Sequence, residues 1–152
     1  MKKLIDVYVY KIVEGEPRFL LFLRSANKIY ANQWRMIGGK VKEGEKYWEA
    51  ALREFREETS LEPGTFWTIP SMNSFYEAKS DQIHQIPAFA IEISDGLNPV
   101  LDDEHTEFEW ISIEALDSYL SWPEQKRLIR LTNHILVNGQ ILPEWLIDIS
   151  RT

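Results

Sequence analysis

The chain has no cysteine among its 152 residues. Disulfides, thiolate nucleophiles and Cys-based zinc sites are therefore excluded. It also lacks any apolar run approaching the roughly 20 residues of a membrane span. The first 25 residues carry charges throughout and show no signal-peptide cleavage pattern, so a soluble cytoplasmic protein is expected. There is no internal repeat, low-complexity tract or linker. A basic excess is missing too: Lys and Arg number 17 against 24 Asp and Glu, for a net charge of −7. Such a chain is a poor candidate for polymeric nucleic acid, whose backbone recruits basic surfaces. A small phosphorylated substrate remains open, because bound metal ions can supply the positive charge.

What is present fits one globular domain over residues 1–152. Hydrophobic residues make up 44% and charged residues 27%, and this length can bury a full core. Strands are expected over Leu4 to Val13 and Arg18 to Arg24, joined by a turn at Glu14-Gly15-Glu16-Pro17. A short strand from Trp34 to Ile37 leads into Gly38-Gly39. Further strands are expected over Thr65 to Glu77, Ile83 to Ile93 and Phe108 to Ser112. A short helix follows over Ile113 to Leu120, then an amphipathic helix from Pro123 to Val137 with Pro in its first turn and Gly139 just beyond it. This order predicts an α/β fold, with helices on both faces of a mixed sheet.

Residues 39–61, GKVKEGEKYWEAALREFREETSL, are the most informative stretch. A helix is expected from about Glu45 to Thr59. Trp48, Ala51, Leu52 and Phe55 fall at i, i+3, i+4 and i+7, a core-facing stripe. Glu54, Glu57 and Glu58 lie within about 100° of one another on a separate face. Oxygen ligands at that density suit a hard divalent ion. By spacing alone a solvated acidic face tempered by Arg53 and Arg56 is an equal alternative.

The stretch resembles the Nudix box, Gly-x5-Glu-x7-Arg-Glu-U-x-Glu-Glu-x-Gly-U with U bulky and apolar. Gly39, Glu45, Arg53, Glu54, Phe55, Glu57, Glu58 and Leu61 match, and Ser60 stands where the family has glycine at the helix exit. The resemblance implies an α/β/α sandwich and a site for Mg²⁺ or Mn²⁺. Glu57, Glu58 and the Gly38 carbonyl are then metal ligands. Glu54 is a ligand and the leading candidate for the base, and Arg53 holds it. Glu45 is expected to be structural, at the start of the helix. A further glutamate from the run 102–110 is expected to complete the site. Glu104 is preferred, from the likeness of Glu104-His105 and Trp110 to dihydroneopterin triphosphate hydrolases; Glu109 is the alternative. His105 is expected to pack rather than ligate.

The implied reaction is water attack on a phosphoric anhydride, splitting a nucleoside or pterin triphosphate into a monophosphate and pyrophosphate. Arg24 is the best phosphate contact, with Lys40 and Arg35 weaker. Trp34, Trp67, Phe75, Tyr76 and Tyr30 are candidates to stack on a flat ring, and Ser121-Trp122 matches a Ser-Trp of the dihydroneopterin triphosphate group. Tyr76 keeps diadenosine polyphosphates open as a substrate. A non-catalytic nucleotide sensor is the rival reading, disfavoured by the intact glutamates. Family members are often dimers, so the apolar tail around Trp145 serves either a homodimer interface or closure of the core.

Overall fold

The structure is a computed structural model and describes residues 2–27 and 31–151. Strand β1 (Leu4–Val13) is its axis. It pairs with β2 (Glu16–Arg24) through a two-residue turn whose Glu14 and Gly15 both have positive φ, 52° and 82°. Such a turn matches the strand twist of a hairpin. The tightness of this turn is why β2 begins at Glu16, two residues earlier than the sequence suggests.

Five further strands complete the sheet: β3 (Trp34–Arg35), β4 (Ile37–Lys40), β5 (Phe66–Glu77), β6 (Gln82–Glu92) and β7 (His105–Ile111). The order is β3-β2-β1-β6-β5, with β4 on β1 and β7 on β2. Along one edge β1 is shared, residues 4–7 facing β4 and residues 10–13 facing β2. Along the other it runs parallel to β6. Every other paired strand is antiparallel, so the sheet is mixed. Strand β7 starts three residues earlier than expected, because a bulge between Leu23 and Arg24 lets β2 keep pairing as far as His105.

Both faces of the sheet are covered, as the alternation of β1 requires. Ile5, Val7 and Val9 pack with Leu20 and Phe22 against Ala51, Leu52 and Phe55 of α1 (Tyr47–Thr59). Tyr8, Tyr10 and Leu21 face Leu128, Ile129 and Ile135 of α3 (Pro123–Val137). A short 3₁₀ turn and α2 (Leu116–Tyr119) precede α3. The architecture is thus the expected α/β/α sandwich. Asp6 shares its face with Tyr8 and Tyr10, a carboxylate on the α3 side of a central strand.

Helix α1 begins at Tyr47 rather than Glu45. The Lys46 backbone N–H is taken by Glu49 Oε1 at 2.9 Å, which fixes the start there. Its exit residue Ser60 is left-handed, φ 59°, and donates its N–H to Arg56 O. Serine thus adopts the conformation that glycine would enter without strain. The C-terminal tail packs on the body: Trp145 stacks on Trp67 at 6.3 Å, and Ile147 N donates to Phe66 O at 2.9 Å. No described helix is long and apolar enough to cross a membrane.

Candidate metal and active site

The apolar stripe of α1 fixes where its carboxylates point. Phe55 is fully buried, and Glu58, one turn on, is drawn under with it. Glu54 sits between that buried face and solvent, while Glu57 is 55% exposed. Glu54 lies against β4: a Cβ on Gly39 would overlap its carboxyl group. A backbone without a side chain at 39 is therefore what lets the helix approach.

Arg53 ties the loop, the strand and the helix together. Its Nε and Nη2 donate to the two Glu45 carboxylate oxygens at 2.9 and 3.1 Å. Its Nη1 donates to Glu54 Oε1 at 3.0 Å, and its Nη2 to the Lys40 carbonyl at 2.9 Å. The planar fork suits this work, as lysine would not. The guanidinium also holds the Glu45 carboxyl below the ordinary range. Burial pushes Glu54 the other way, against the pull of Arg53.

Glu58 is the electrostatic centre. Burial raises its carboxyl well above the ordinary range, and the charges of Glu54, Asp102 and Glu104 add to the rise. Its Oε2 is buried and has no hydrogen-bond partner among the described residues. Its Oε1 stands 3.7 Å from His105 Nε2, and His105 Nδ1 lies 2.7 Å from Asp102 Oδ1. Donor atoms of Glu58, Asp102 and His105 fall within 4.8 Å of one another. Asp102 also accepts from the Glu104 N–H and contacts His105, so the loop and Glu58 form one connected group that could hold a metal ion. Ser25 N donates to Glu104 O, which fastens this loop to the end of β2.

Beside the carboxylates opens a cleft of about 600 Å³. Glu58, Gly38 and Gly39 line it together with Asp6, Asn73 and Gln125, and Trp34, Phe75 and Trp122 are among its aromatic walls.

The NUDIX domain family model matches residues 2–132. The chain belongs to this family. With the acidic set intact, it is a Nudix hydrolase acting on phosphoric anhydride bonds. The nucleoside triphosphatase NudI of Salmonella paratyphi B is 25% identical over 119 residues, covering 73% of this chain and 84% of that protein. A protein of Listeria monocytogenes assigned as a NUDIX hydrolase superposes with TM-score 0.76 at 23% identity, covering 91% and 96% of the two chains. The Ap4A hydrolase of C. elegans gives TM-score 0.74 at 19% identity, covering 91% and 99%. The NUDIX domain of Shewanella oneidensis NrtR, complexed with ADP ribose, gives 0.69 at 17%, covering 88% and 86%. These structural likenesses establish the fold.

Of the residues singled out from sequence, Gly38, Arg53, Glu54, Glu57 and Glu58 come together. Glu104 acts on Glu58 through its charge and pairs with Arg24 Nη1 at 3.6 Å, whereas Glu109 is exposed on β7. Glu45 lies ahead of the helix and acts on Arg53, not on the helix dipole. Trp34 lines the cleft, and Lys40 reaches its rim while giving its carbonyl to Arg53. Tyr76 does not line the cleft: it is 60% exposed and donates to Asp81 Oδ1. Strand alternation turns its neighbour Phe75 inward instead. Trp67 is fully buried and donates to Tyr10 OH, so it serves the core. Tyr30 lies outside the described residues.

Sequence reasoning passed over Asp6, Asn73 and Asp102, and it undervalued His105. Asp102 and His105 carried a signal in their i, i+3 spacing at a strand entrance. Asp6 carried one as the lone carboxylate of a mostly apolar strand.

Proposed function

We propose that the protein is a Mg²⁺-dependent pyrophosphohydrolase of a nucleoside or pterin triphosphate, releasing pyrophosphate and a monophosphate, with Mn²⁺ an alternative ion. The observation that supports this best is that Glu58 lines an aromatic-walled cleft beside Gly38 and Gly39, with Glu54 packed against Gly39 and Glu57 joined to Glu54 through Arg53. The donors are hard oxygens, and the orphaned, buried Glu58 Oε2 is an acceptor in want of a cation. Glu57, Glu58, Glu54 and the Gly38 carbonyl would hold the ion, with Glu104 completing the set. Bound there, the ion would neutralise the anhydride and acidify a water.

The chain's own residues then do the rest. Glu54, held by Arg53 and raised by burial, takes the proton of the attacking water at its carboxylate. Arg24, at the end of β2, meets phosphate oxygens after exchanging Glu104 for them. Trp34, Phe75 and Trp122 wall the ring of the substrate away from water.

The test is pyrophosphate and phosphate release with Mg²⁺ over nucleoside triphosphates, dihydroneopterin triphosphate, diadenosine polyphosphates, ADP-ribose and nucleotide sugars. A preferred triphosphate releasing pyrophosphate is expected. Glu57→Gln should abolish turnover with little change in melting temperature, since the side chain is mostly exposed. Normal turnover in that variant would sink the metal assignment. A preference for diadenosine polyphosphates would move the substrate, not the chemistry.

A further inference from the structure

On the α3 side of the sheet the cleft carries a polar set that the proposed hydrolysis does not use. Asp6 is only 7% exposed, yet it lines the cleft. Its Oδ2 accepts from Asn73 Nδ2 at 2.9 Å and from Tyr8 OH at 3.3 Å. Asn73 is itself buried, and its Oδ1 accepts from Trp122 Nε1 at 3.4 Å. Burial raises the Asp6 carboxyl above its ordinary value, and the Asn73, Tyr8 and Gln125 hydrogen bonds and the Arg35 charge only partly oppose that rise. The other oxygen, Oδ1, faces β4: it lies 3.7 Å from where a Gly38 Cβ would stand, on the side of the chemistry. Burying a carboxylate this deeply is costly unless something accounts for it, and packing does not, since an apolar side chain would fill the same strand position.

We infer that Asp6, oriented by Asn73, Tyr8 and Gln125, is the specificity-determining acceptor of the cleft, and reads a ring that offers adjacent N–H donors. The remaining oxygen, Oδ1, carries two lone pairs, and can accept from a ring N–H and the adjacent exocyclic amine together. A 2-amino-4-oxopyrimidine edge presents that pair, and guanine and the pterins share it. Adenine and cytosine place a ring acceptor where the N–H is needed, and would set lone pair against lone pair. Uracil and thymine flank their single N–H with carbonyls, with the same result. The aromatic walls at Trp34, Phe75 and Trp122 take the ring's faces without choosing among rings. This inference deepens the proposed function and rests on the same cleft.

The test is equilibrium binding, so that it reads the ring and not the reaction. GMP and IMP differ by the 2-amino group alone. Titration calorimetry at pH 8 without metal is expected to show GMP bound at least tenfold tighter than IMP by the wild type. In Asp6→Asn the ratio should fall to within about threefold, with GMP losing affinity and IMP little changed. Equal affinities in the wild type, a ratio unchanged in Asp6→Asn, or no binding of either nucleotide would each overturn the assignment. Neopterin in place of GMP, against its 2-oxo counterpart, tells which carrier of the edge fits better. Loss of turnover in Glu57→Gln reports on the proposed hydrolysis independently, so failure of one reading is distinguishable from failure of the other.

Discussion

Gly39 and Glu54 are in such close contact that even a methyl group on the glycine would overlap the carboxyl carbon and oxygen of the glutamate. Glu54 has little freedom to retreat, because Arg53 holds Oε1 at 3.0 Å and is itself held by Glu45 and the Lys40 carbonyl. Gly39→Ala should therefore push Glu54 out of position. A displacement of an ångström at a reacting group costs about 10²-fold in rate. We expect kcat to fall by about that factor while KM moves little, because the aromatic walls proposed to take the substrate's ring do not include Glu54. Steady-state kinetics check it; a variant with wild-type kcat would show that Glu54 is not the base.

Ser60 carries a strain that the box pattern normally avoids. Its left-handed φ of 59° costs a non-glycine residue about 1–2 kcal/mol, and glycine's greater freedom in the unfolded chain returns roughly 0.5–1 kcal/mol of that. Ser60→Gly should then stabilise the protein by about 0.5–1 kcal/mol, seen as a higher urea midpoint with an unchanged slope. Ser60 is exposed and holds no metal donor, so turnover should be unaffected. A lower midpoint would mean that the serine side chain contributes something its geometry does not reveal.

The two arguments differ in how far the sequence could carry them. The left-handed exit at Ser60 follows from where the apolar stripe of α1 ends, which is local information. So do the extent of α3, bounded by Pro123 and Gly139, and the place of the first hairpin turn, though not its two-residue length. The closeness of Gly39 to Glu54 depends on how β4 docks against the helix, and no local pattern encodes that. Period-2 alternation says that Phe75 and Tyr76 face opposite ways, but not which of them faces the cleft; β5's pairing with β6 decides it. Asp6 shows the same limit. A single acid in a run of Val, Ile and Tyr reads as an edge or solvent position until β4 and β6 are seen to enclose it.

Asp6 also makes a pH prediction for stability. Burial raises its carboxyl from 3.8 to about 6, with Asn73, Tyr8 and Arg35 opposing. Between those values the folded state holds a proton that the unfolded state has lost, so stability falls as pH rises through this window. Above about 6 the penalty is complete. At about 1.4 kcal/mol per pKa unit it amounts to ~3 kcal/mol. Asp6→Asn has no such group and keeps an oxygen for Asn73 and Tyr8. Its stability relative to the wild type should therefore rise by up to ~3 kcal/mol between pH 4 and pH 7. Urea unfolding of both proteins at the two pH values measures this difference, and other titrating groups cancel in the subtraction. A difference independent of pH would place the Asp6 carboxyl at its ordinary value.

Glu58 yields the opposite pairing of stability and function. Without a cation, its carboxyl must either lose a proton among Glu54, Asp102 and Glu104 or keep one that the unfolded chain would release. Either way the metal-free protein is less stable for having it, and the partnerless Oε2 gains nothing in return. Glu58→Gln keeps the shape and removes the charge, so the metal-free variant should melt higher than the metal-free wild type near neutral pH. Millimolar Mg²⁺ should raise the wild-type melting temperature, because an ion that binds only the folded state stabilises it by mass action. It should raise that of Glu58→Gln far less, and EDTA should reverse the wild-type shift. Turnover should be lost in the same variant. Thermal unfolding with Mg²⁺ and with EDTA measures all but the last, and hydrolysis supplies that. If Glu58→Gln melted lower without metal, the carboxyl would be stabilised by its surroundings, and the cation would not be what it is built to meet.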